Sequence, residues 1–353
     1  MFEYFDYAAS TPISDIVLER MQPWLQHNFS NPSAAHSYGK KAYDAIEGAR
    51  AIIADKIGAM PSEIIFTSGA SEANNLAIKG IAFKYIEQKG HIITSSIEHK
   101  CILNCCAFLE KIGFEVTYIK PNNDGLISIE SVFEAIQPNT ILISIHHVNN
   151  ELGCIQPIAD IGHIAFDNNI LFHTDAAQSF CKLDIDVDTM NLDMFSLSGH
   201  KIFGPKGIGA LYIRDSRESG LIPLIHGGGQ ELGLRGGTYP TPLIVGLGAA
   251  VENFPKTPNQ LQYEFEKSIA RYTFLRNGGT NVVPTIWNIT FNNDDEVKRF
   301  THNQSWLISQ GSACNAMSNI PSHVLTSIGF DEEKARRTFR ISLPPYHIND
   351  ELS

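Results

Sequence analysis

The chain has 353 residues, of which 43% are hydrophobic and 18% charged, an ordinary composition for a soluble globular protein with a main domain and a smaller one. Its 27 Lys and Arg against 38 Asp and Glu leave a net charge of −11, which argues against direct nucleic-acid binding as the main function, because phosphate contacts need an excess of basic residues. The longest apolar run, "LIVGLGAAV", falls far short of the roughly 20 residues that cross a bilayer, so no membrane role is expected.

At the N-terminus, "MFEYFDYAAS" carries Glu3 and Asp6 where a secretory signal would need a cationic start and an apolar run. The six cysteines form no regular framework and read as reduced thiols, so a cytoplasmic location is expected. Short β-rich runs then alternate with helical patterns. "EIIFTS" precedes "LAIKGIAFKYIEQKG", "HIITSS" precedes "EHKCILNCCAFLEKIG", "TILISIHHVNN" precedes "IADIGHIAFDNN", and "ILFHTDAAQS" follows. This rhythm predicts an α/β fold with a mainly parallel central sheet flanked by helices. Polar clusters stand directly after the strands: "SGASE", "SSIEHK", "HHVNNE", "HTDAAQ" and "SLSGHK". Ligands collect at the carboxyl ends of parallel strands, so these five segments are expected to meet in one crevice. Prolines and polar residues in "VENFPKTPNQ" mark a domain boundary near residue 255. A helix over "QLQYEFEKSIARYTFL", a strand "TIWNITF" and the stretch "SWLISQGSACNAMSNIPSHVL" follow.

No P-loop, dinucleotide fingerprint, G-x-S-x-G, H-E-x-x-H or C-x-x-C is present. Cys101, Cys105 and Cys106 share a predicted helix and read as buried small hydrophobes. The neighbours His146 and His147 point to opposite faces of a strand, so no metal site is expected. Lys201, in "SLSGHKIFGPKGIGALYIR", follows an apolar stretch and precedes Ile202 and Phe203. A lysine there is either a nucleophilic amine with its pKa lowered by burial or one that snorkels to water. Asp175 is suited to hold a protonated ring nitrogen, and equally to cap a helix. Gln178 follows it on the same turn, His99 offers a flat ring for stacking, and "TSGASEANN" places free amides where a phosphate could bind. Each signal is weak alone. Together they supply what pyridoxal 5'-phosphate requires.

At this point the chain resembles the NifS/IscS-type cysteine desulfurases, members of the class V aminotransferase-like, fold-type I pyridoxal-phosphate enzymes. The resemblance rests on "YFDYAASTP", "NPSAAHSYG", "EIIFTSGASEANNLAIKG", "HIITSSIEHK", "SIHHVNNELGCIQPI", "HTDAAQS", "SLSGHKIFGPKGIGALYIR", "HGGGQELGLRGGT", "QGSACNA" and "FRISL", which occur in family order. It implies a large cofactor-binding domain over 15–254, and a smaller α+β domain from 1–14 and 255–353 that carries the thiol loop. Lys201 resembles the lysine that holds the cofactor covalently, Asp175 the partner of the ring nitrogen, Gln178 the amide on the ring hydroxyl and His99 the stacking residue. Ala70, Ser71, Ser198 and His200 resemble the phosphate-binding set. Thr238 resembles the residue that reaches the phosphate of a second subunit, which implies a homodimer. Asn150, which also borders the cofactor, and Arg340 resemble the groups that take the substrate carboxylate.

Cys314, in "GSAC", resembles the thiol that attacks the substrate sulphur, so Lys201, His99 and Cys314 form the implied catalytic set. The implied reaction converts L-cysteine to L-alanine, leaves a persulfide on Cys314 and passes the sulphur to an acceptor protein. Gln310 stands where the family has a serine. The chain finishes in "SLPPYHINDELS", earlier than housekeeping relatives, and the stretch from about 271 to 310 is short, so a C-terminally truncated small domain is expected. These departures suggest a dedicated sulphur donor, for instance for nucleic-acid modification such as DNA phosphorothioation, with partner proteins making the nucleic-acid contact. Competing readings are a selenocysteine lyase or aminotransferase of the same fold, and a catalytically idle partner in a sulphur-relay complex.

Overall fold

The computed structural model describes residues 3–302, 306–310 and 321–348. Its strands are β1 (Glu3–Tyr4), β2 (Ile64–Thr67), β3 (His91–Ser95), β4 (Glu115–Ile119), β5 (Thr140–Ser144), β6 (Leu171–Asp175), β7 (Met194–Ser198), β8 (Gly209–Ile213), β9 (Phe274–Asn277), β10 (Ile286–Phe291), β11 (Trp306–Leu307) and β12 (Thr338–Ser342). The helices are α1 (Asp15–Gln26), α2 (Ser37–Lys56), α3 (Ala70–Lys84), α4 (Lys100–Lys111), α5 (Ile129–Glu134), α6 (Ile158–Asp167), α7 (Thr241–Glu252), α8 (Gln260–Ile269), α9 (Asp294–His302), α10 (His323–Ser327) and α11 (Glu332–Arg336).

Seven strands form the main sheet in the order β2-β8-β7-β6-β5-β3-β4. From β4 across to β7 every pairing is parallel, whereas β8 runs antiparallel to both β7 and β2. Every residue of β2, β3, β7 and β8 is buried, as a sheet covered on both faces requires. Residues one apart serve different cores. Phe66, Ile93, Ile143 and Phe195 face the core built with α1, α2, α6 and α7, while Ile65, Ile92, Leu142 and Met194 face the one built with α3 and α4. Buried polar side chains cross-link the strands. His173 lies between Ser144 Oγ, 2.8 Å from Nδ1, and Ser196 Oγ, 2.9 Å from Nε2.

A second, antiparallel sheet has the order β12-β10-β9 and packs an aromatic core around Phe265, Phe291, Phe300 and Phe339. The helix expected over 260–275 stops at Ile269, and Phe274 and Leu275 instead open β9, paired with Phe291 and Thr290. Strand pairing and ring contacts of Phe274 with Trp287 and Phe291 override the local helical pattern there. The N-terminal segment ties the two sheets together. β1 pairs in parallel with β11, Ala8 N–H donates to Ser342 Oγ, and Thr11 Oγ1 accepts from Phe203 N–H while donating to the His200 carbonyl.

One buried ion pair fixes the loop before α7. The Arg50 guanidinium on α2 meets both carboxylate oxygens of Glu231 at 2.9 and 2.7 Å, and Glu231 also accepts from the Phe66 amide of β2. Burial opposes the Arg50 charge, but Glu231 outweighs it and holds the group above its ordinary pKa. Glu231 and Leu232 have φ of 49° and 57°, so the loop carries two side chains in the left-handed region. Arg50→Met is expected to cost about 3–5 kcal/mol in urea unfolding, because the Glu231 carboxylate would be stranded, and Arg50→Met/Glu231→Leu less than Arg50→Met alone.

His173 supplies a second expectation. Burial pushes its pKa down to about 4 from the 6.5 of an exposed histidine. The unfolded chain therefore binds a proton that the folded one refuses, so this stability is full above pH 6.5 and is lost as pH falls towards 4. In His173→Gln, the drop in unfolding free energy between pH 7 and pH 5 is expected to shrink, whatever the variant's stability at pH 7.

Candidate active site

Parallel strands deliver their C-terminal ends to one edge of the main sheet, and a cavity of ≈ 480 Å³ opens there. All five polar segments reach it. Ser68–Glu72 follow β2, His99–Cys101 follow β3, His146 and Asn150 follow β5, Asp175 and Gln178 end β6, and Ser198, His200 and Lys201 end β7. Arg340 of β12 and His323 of α10 line the wall contributed by the second sheet and its neighbours.

The base of the cavity near α3 is shaped by backbone. Gly69 precedes α3 with φ 150°, and no side chain caps the first turn, so the amides at Ala70 and Ser71 are left for a ligand. A Cβ at Gly209 would lie 2.7 Å from the Gly69 Cα, so β8 can pass this turn only without a side chain. Ser198 ends β7, and His200 and Lys201 occupy the single 3-10 turn that follows. Burial and the neighbouring lysines push His200 down to about 4, so its ring is neutral at pH 7. Its Nδ1 lies 3.3 Å from Ser10 Oγ.

Asp175 is held by two donors, the Asn74 amide at 2.7 Å and the Ala177 N–H at 2.9 Å. Asn74 is fully buried within α3 and was not singled out from sequence; a buried amide inside a helix next to a glycine turn is the signal that could have found it. His99 precedes α4, and its Nδ1 accepts the Cys101 N–H at 3.1 Å, which leaves the proton of the neutral ring on Nε2. Burial is the main cause that lowers its pKa, so the neutral form is the relevant one.

Cys101 departs from the reading of three buried small hydrophobes. Cys105 and Cys106 are buried, but Cys101 lines the cavity, with Sγ 3.0 Å from His99 Nδ1 and accepting from Asn74 Nδ2 at 3.3 Å. Burial first, and then Asp175, push its thiol up to about 12, so it stays protonated and is no nucleophile at neutral pH. His146 lines the cavity and pairs with buried Glu98 at 2.8 Å; His147 does not line it.

Lys201 Nζ donates to the carbonyls of Ala8 and Ala9, the latter at 2.9 Å. Gln178 donates to the same Ala8 carbonyl at 2.8 Å. Arg340, almost wholly buried, donates to the Asn150 carbonyl at 3.0 Å and to Asp6 at 2.6 Å, while its Nε finds no partner among the described residues. Thr238 is exposed and does not line this chain's cavity. Cys314 lies outside the described residues. Among the described residues, no group of three or more His, Cys, Asp or Glu is arranged to hold a metal ion, and no helix is long and apolar enough to cross a membrane.

A lysine, a fixed carboxylate, an imidazole, a side-chain amide and an uncapped helix start thus share one cavity with a buried guanidinium. Known proteins bear on this arrangement directly. The aminotransferase class-V family model matches residues 3–353. The cysteine desulfurase IscS of Rickettsia prowazekii is 44% identical over 368 residues, covering 99% of this chain and 88% of that protein. A mitosomal cysteine desulfurase of Trachipleistophora hominis is 45% identical, covering 96% and 81%. Among solved structures, SspA in complex with cysteine superposes with a TM-score of 0.97 at 70% identity, covering 98% of this chain and all of that one. DndA from Streptomyces lividans gives a TM-score of 0.81 at 36% identity, covering 97% and 100%. The chain belongs to the aminotransferase class-V family and, within it, to the cysteine desulfurases.

Proposed function

We propose that this cavity holds pyridoxal 5'-phosphate and that the protein removes sulphur from L-cysteine, releasing L-alanine and carrying the sulphur on Cys314. The observation that carries this reading is the meeting of Lys201, the Asn74-fixed carboxylate of Asp175 and the uncapped start of α3 in one cavity. Asp175 stands ready for a protonated ring nitrogen, Gln178 for the ring hydroxyl, His99 for the ring face, and Ala70, Ser71, Ser198 and His200 for the phosphate. The cofactor's contribution when bound is an electron sink for the carbon next to the amino group.

The chain supplies the rest. Arg340, with Asn150 beside it, takes the substrate carboxylate, where a planar guanidinium suits two oxygens. Its Nη2 engages Asp6 and Ser309 Oγ and its Nη1 gives one proton to the Asn150 carbonyl, so the orphaned Nε–H and the second proton of Nη1 are the donors left for that carboxylate. Lys201, whose Nζ bonds two backbone carbonyls at the cavity, would accept and return the proton at the substrate's α-carbon. The Cys314 thiolate takes the sulphur: the substrate's C–S bond breaks, a carbon–hydrogen bond replaces it, and an S–S bond forms on the enzyme. Atoms balance as L-cysteine plus thiol giving L-alanine plus persulfide, and an acceptor thiol then regenerates Cys314. Cys101 does not compete, since its thiol stays protonated.

The finer part of the reading concerns assembly and destination. Thr238, exposed on the loop that the Arg50–Glu231 pair fixes, would serve the phosphate site of a second copy in a homodimer; its exposure, and its absence from this chain's own cavity, support that reading. The acceptor is a protein, and a dedicated donor for nucleic-acid modification such as DNA phosphorothioation fits a chain with net charge −11, which leaves nucleic-acid contact to that partner.

Borohydride reduction of the loaded protein, followed by peptide mass spectrometry, is expected to place the cofactor on Lys201; a label elsewhere, or none, would reject the site. With L-cysteine and a thiol reductant, the protein is expected to release alanine and sulphide in equal amounts. Cys314→Ala should abolish sulphide release while the cofactor is still retained, and continued turnover in that variant would reject the persulfide step.

A further inference from the structure

Lys182 has no role in the reaction as described, yet it is one of the most deeply buried charged residues of the chain, only 3% exposed. It sits one residue beyond Cys181, which has a φ of 64°, in the run of turns that follows β6. Its Nζ lies 3.1 Å from Gln178 Oε1, and among the described residues no carboxylate pairs with it. Burying an amine without a counter-ion is costly. Burial, reinforced by the nearby Lys201, pushes it down to about 7, so the amine is poised between its two forms.

The partner of this amine is the informative part. A side-chain amide can be turned either way, and its neighbours decide which end is oxygen. Here both agree. The Ala8 carbonyl can only accept, so Nε2 must face it at 2.8 Å, which turns Oε1 towards Lys182, where either form of the amine can donate to it. Nε2 has two protons, and Ala8 takes one of them. Gln178 also lines the cavity.

We propose that Lys182 is a positioning residue: its buried amine pins Oε1 of Gln178, so that the amide presents its second N–H to the cavity as donor to an anionic oxygen on the bound ring. The inference rests on the cofactor reading above and deepens it by assigning an outer residue to the ring oxygen. Lys182 never touches the ligand; it acts through the amide.

The test compares apo-protein carrying Lys182→Met, Gln178→Ala, both changes or neither, each titrated with pyridoxal 5'-phosphate by equilibrium ultrafiltration. Lys182→Met is expected to weaken binding by about tenfold, as loss of one well-placed hydrogen bond does, and to add nothing in the Gln178→Ala background. With 3-deoxypyridoxal 5'-phosphate, which lacks the ring oxygen, Lys182→Met and the unaltered protein are expected to bind alike. Lys182→Gln keeps a donor for Oε1 and should restore most of the affinity. Melting of the apo-protein guards against a folding artefact, and Lys182→Met, which removes an unpaired buried charge, should melt no lower than the parent. Equal losses in both Gln178 backgrounds, or a full loss with the deoxy analogue, would overturn the role of Lys182 while leaving the cofactor site standing. Failure of the unaltered protein to bind pyridoxal 5'-phosphate would overturn both.

Discussion

The direction of four neighbouring strands governs everything else in this molecule. Because β3, β5, β6 and β7 run parallel, β3, β5 and β6 are each followed by a crossover to the next parallel strand, and all four strands release their next residues at the same edge. Those residues are polar in every case. A hairpin topology would have sent alternate segments to opposite edges and scattered the same side chains over both ends of the sheet. The price of this geometry is that the polar strand ends are buried, and each needs a partner inside the protein.

Those partners show two ways of tolerating burial. Histidines 173 and 200 are kept neutral, and for His173 the partners are hydroxyls on the adjoining strands. Other groups keep charge and meet its opposite: Arg50 with Glu231, His146 with Glu98, and Arg340 with Asp6. Coulomb attraction in these poorly solvated places offsets desolvation only when geometry is good, as the paired contacts of Arg50 illustrate. Lys182 follows neither pattern cleanly. An amide oxygen is a poor substitute for a carboxylate, and that mismatch is what points to the amide as the thing being controlled.

Much of the large sheet is legible from sequence because fully buried strands such as "HIITS" and "MFSLS" are short, apolar and bounded by turn residues. The five polar segments can be read for the same reason, since each begins where an apolar run stops. The antiparallel direction of β8 is not legible, because residues 209–213 are buried on both faces like their parallel neighbours and carry no mark of polarity along the chain. The helix over 260–275 misleads because its last residues obey helical spacing while tertiary strand pairing decides their fate. Cys101 escapes notice since only its position on the first turn of α4, beside the His99 ring, separates it from Cys105 and Cys106. Lys182, in "FCKLDID", reads like any surface lysine; its burial depends on elements distant in sequence, including the backbone contact from Ile348.

The loop before α7 bears on any attempt to build hybrids between relatives. Its backbone bends through two left-handed side-chain positions that only a well-anchored segment sustains, and the anchor lies some 180 positions upstream, on α2. A graft of residues 226–238 alone would transplant the curve without its clamp. Chimeras that carry both the guanidinium donor and its acidic mate should inherit a shaped rim, whereas those that split the couple at a convenient domain seam should inherit a slack one.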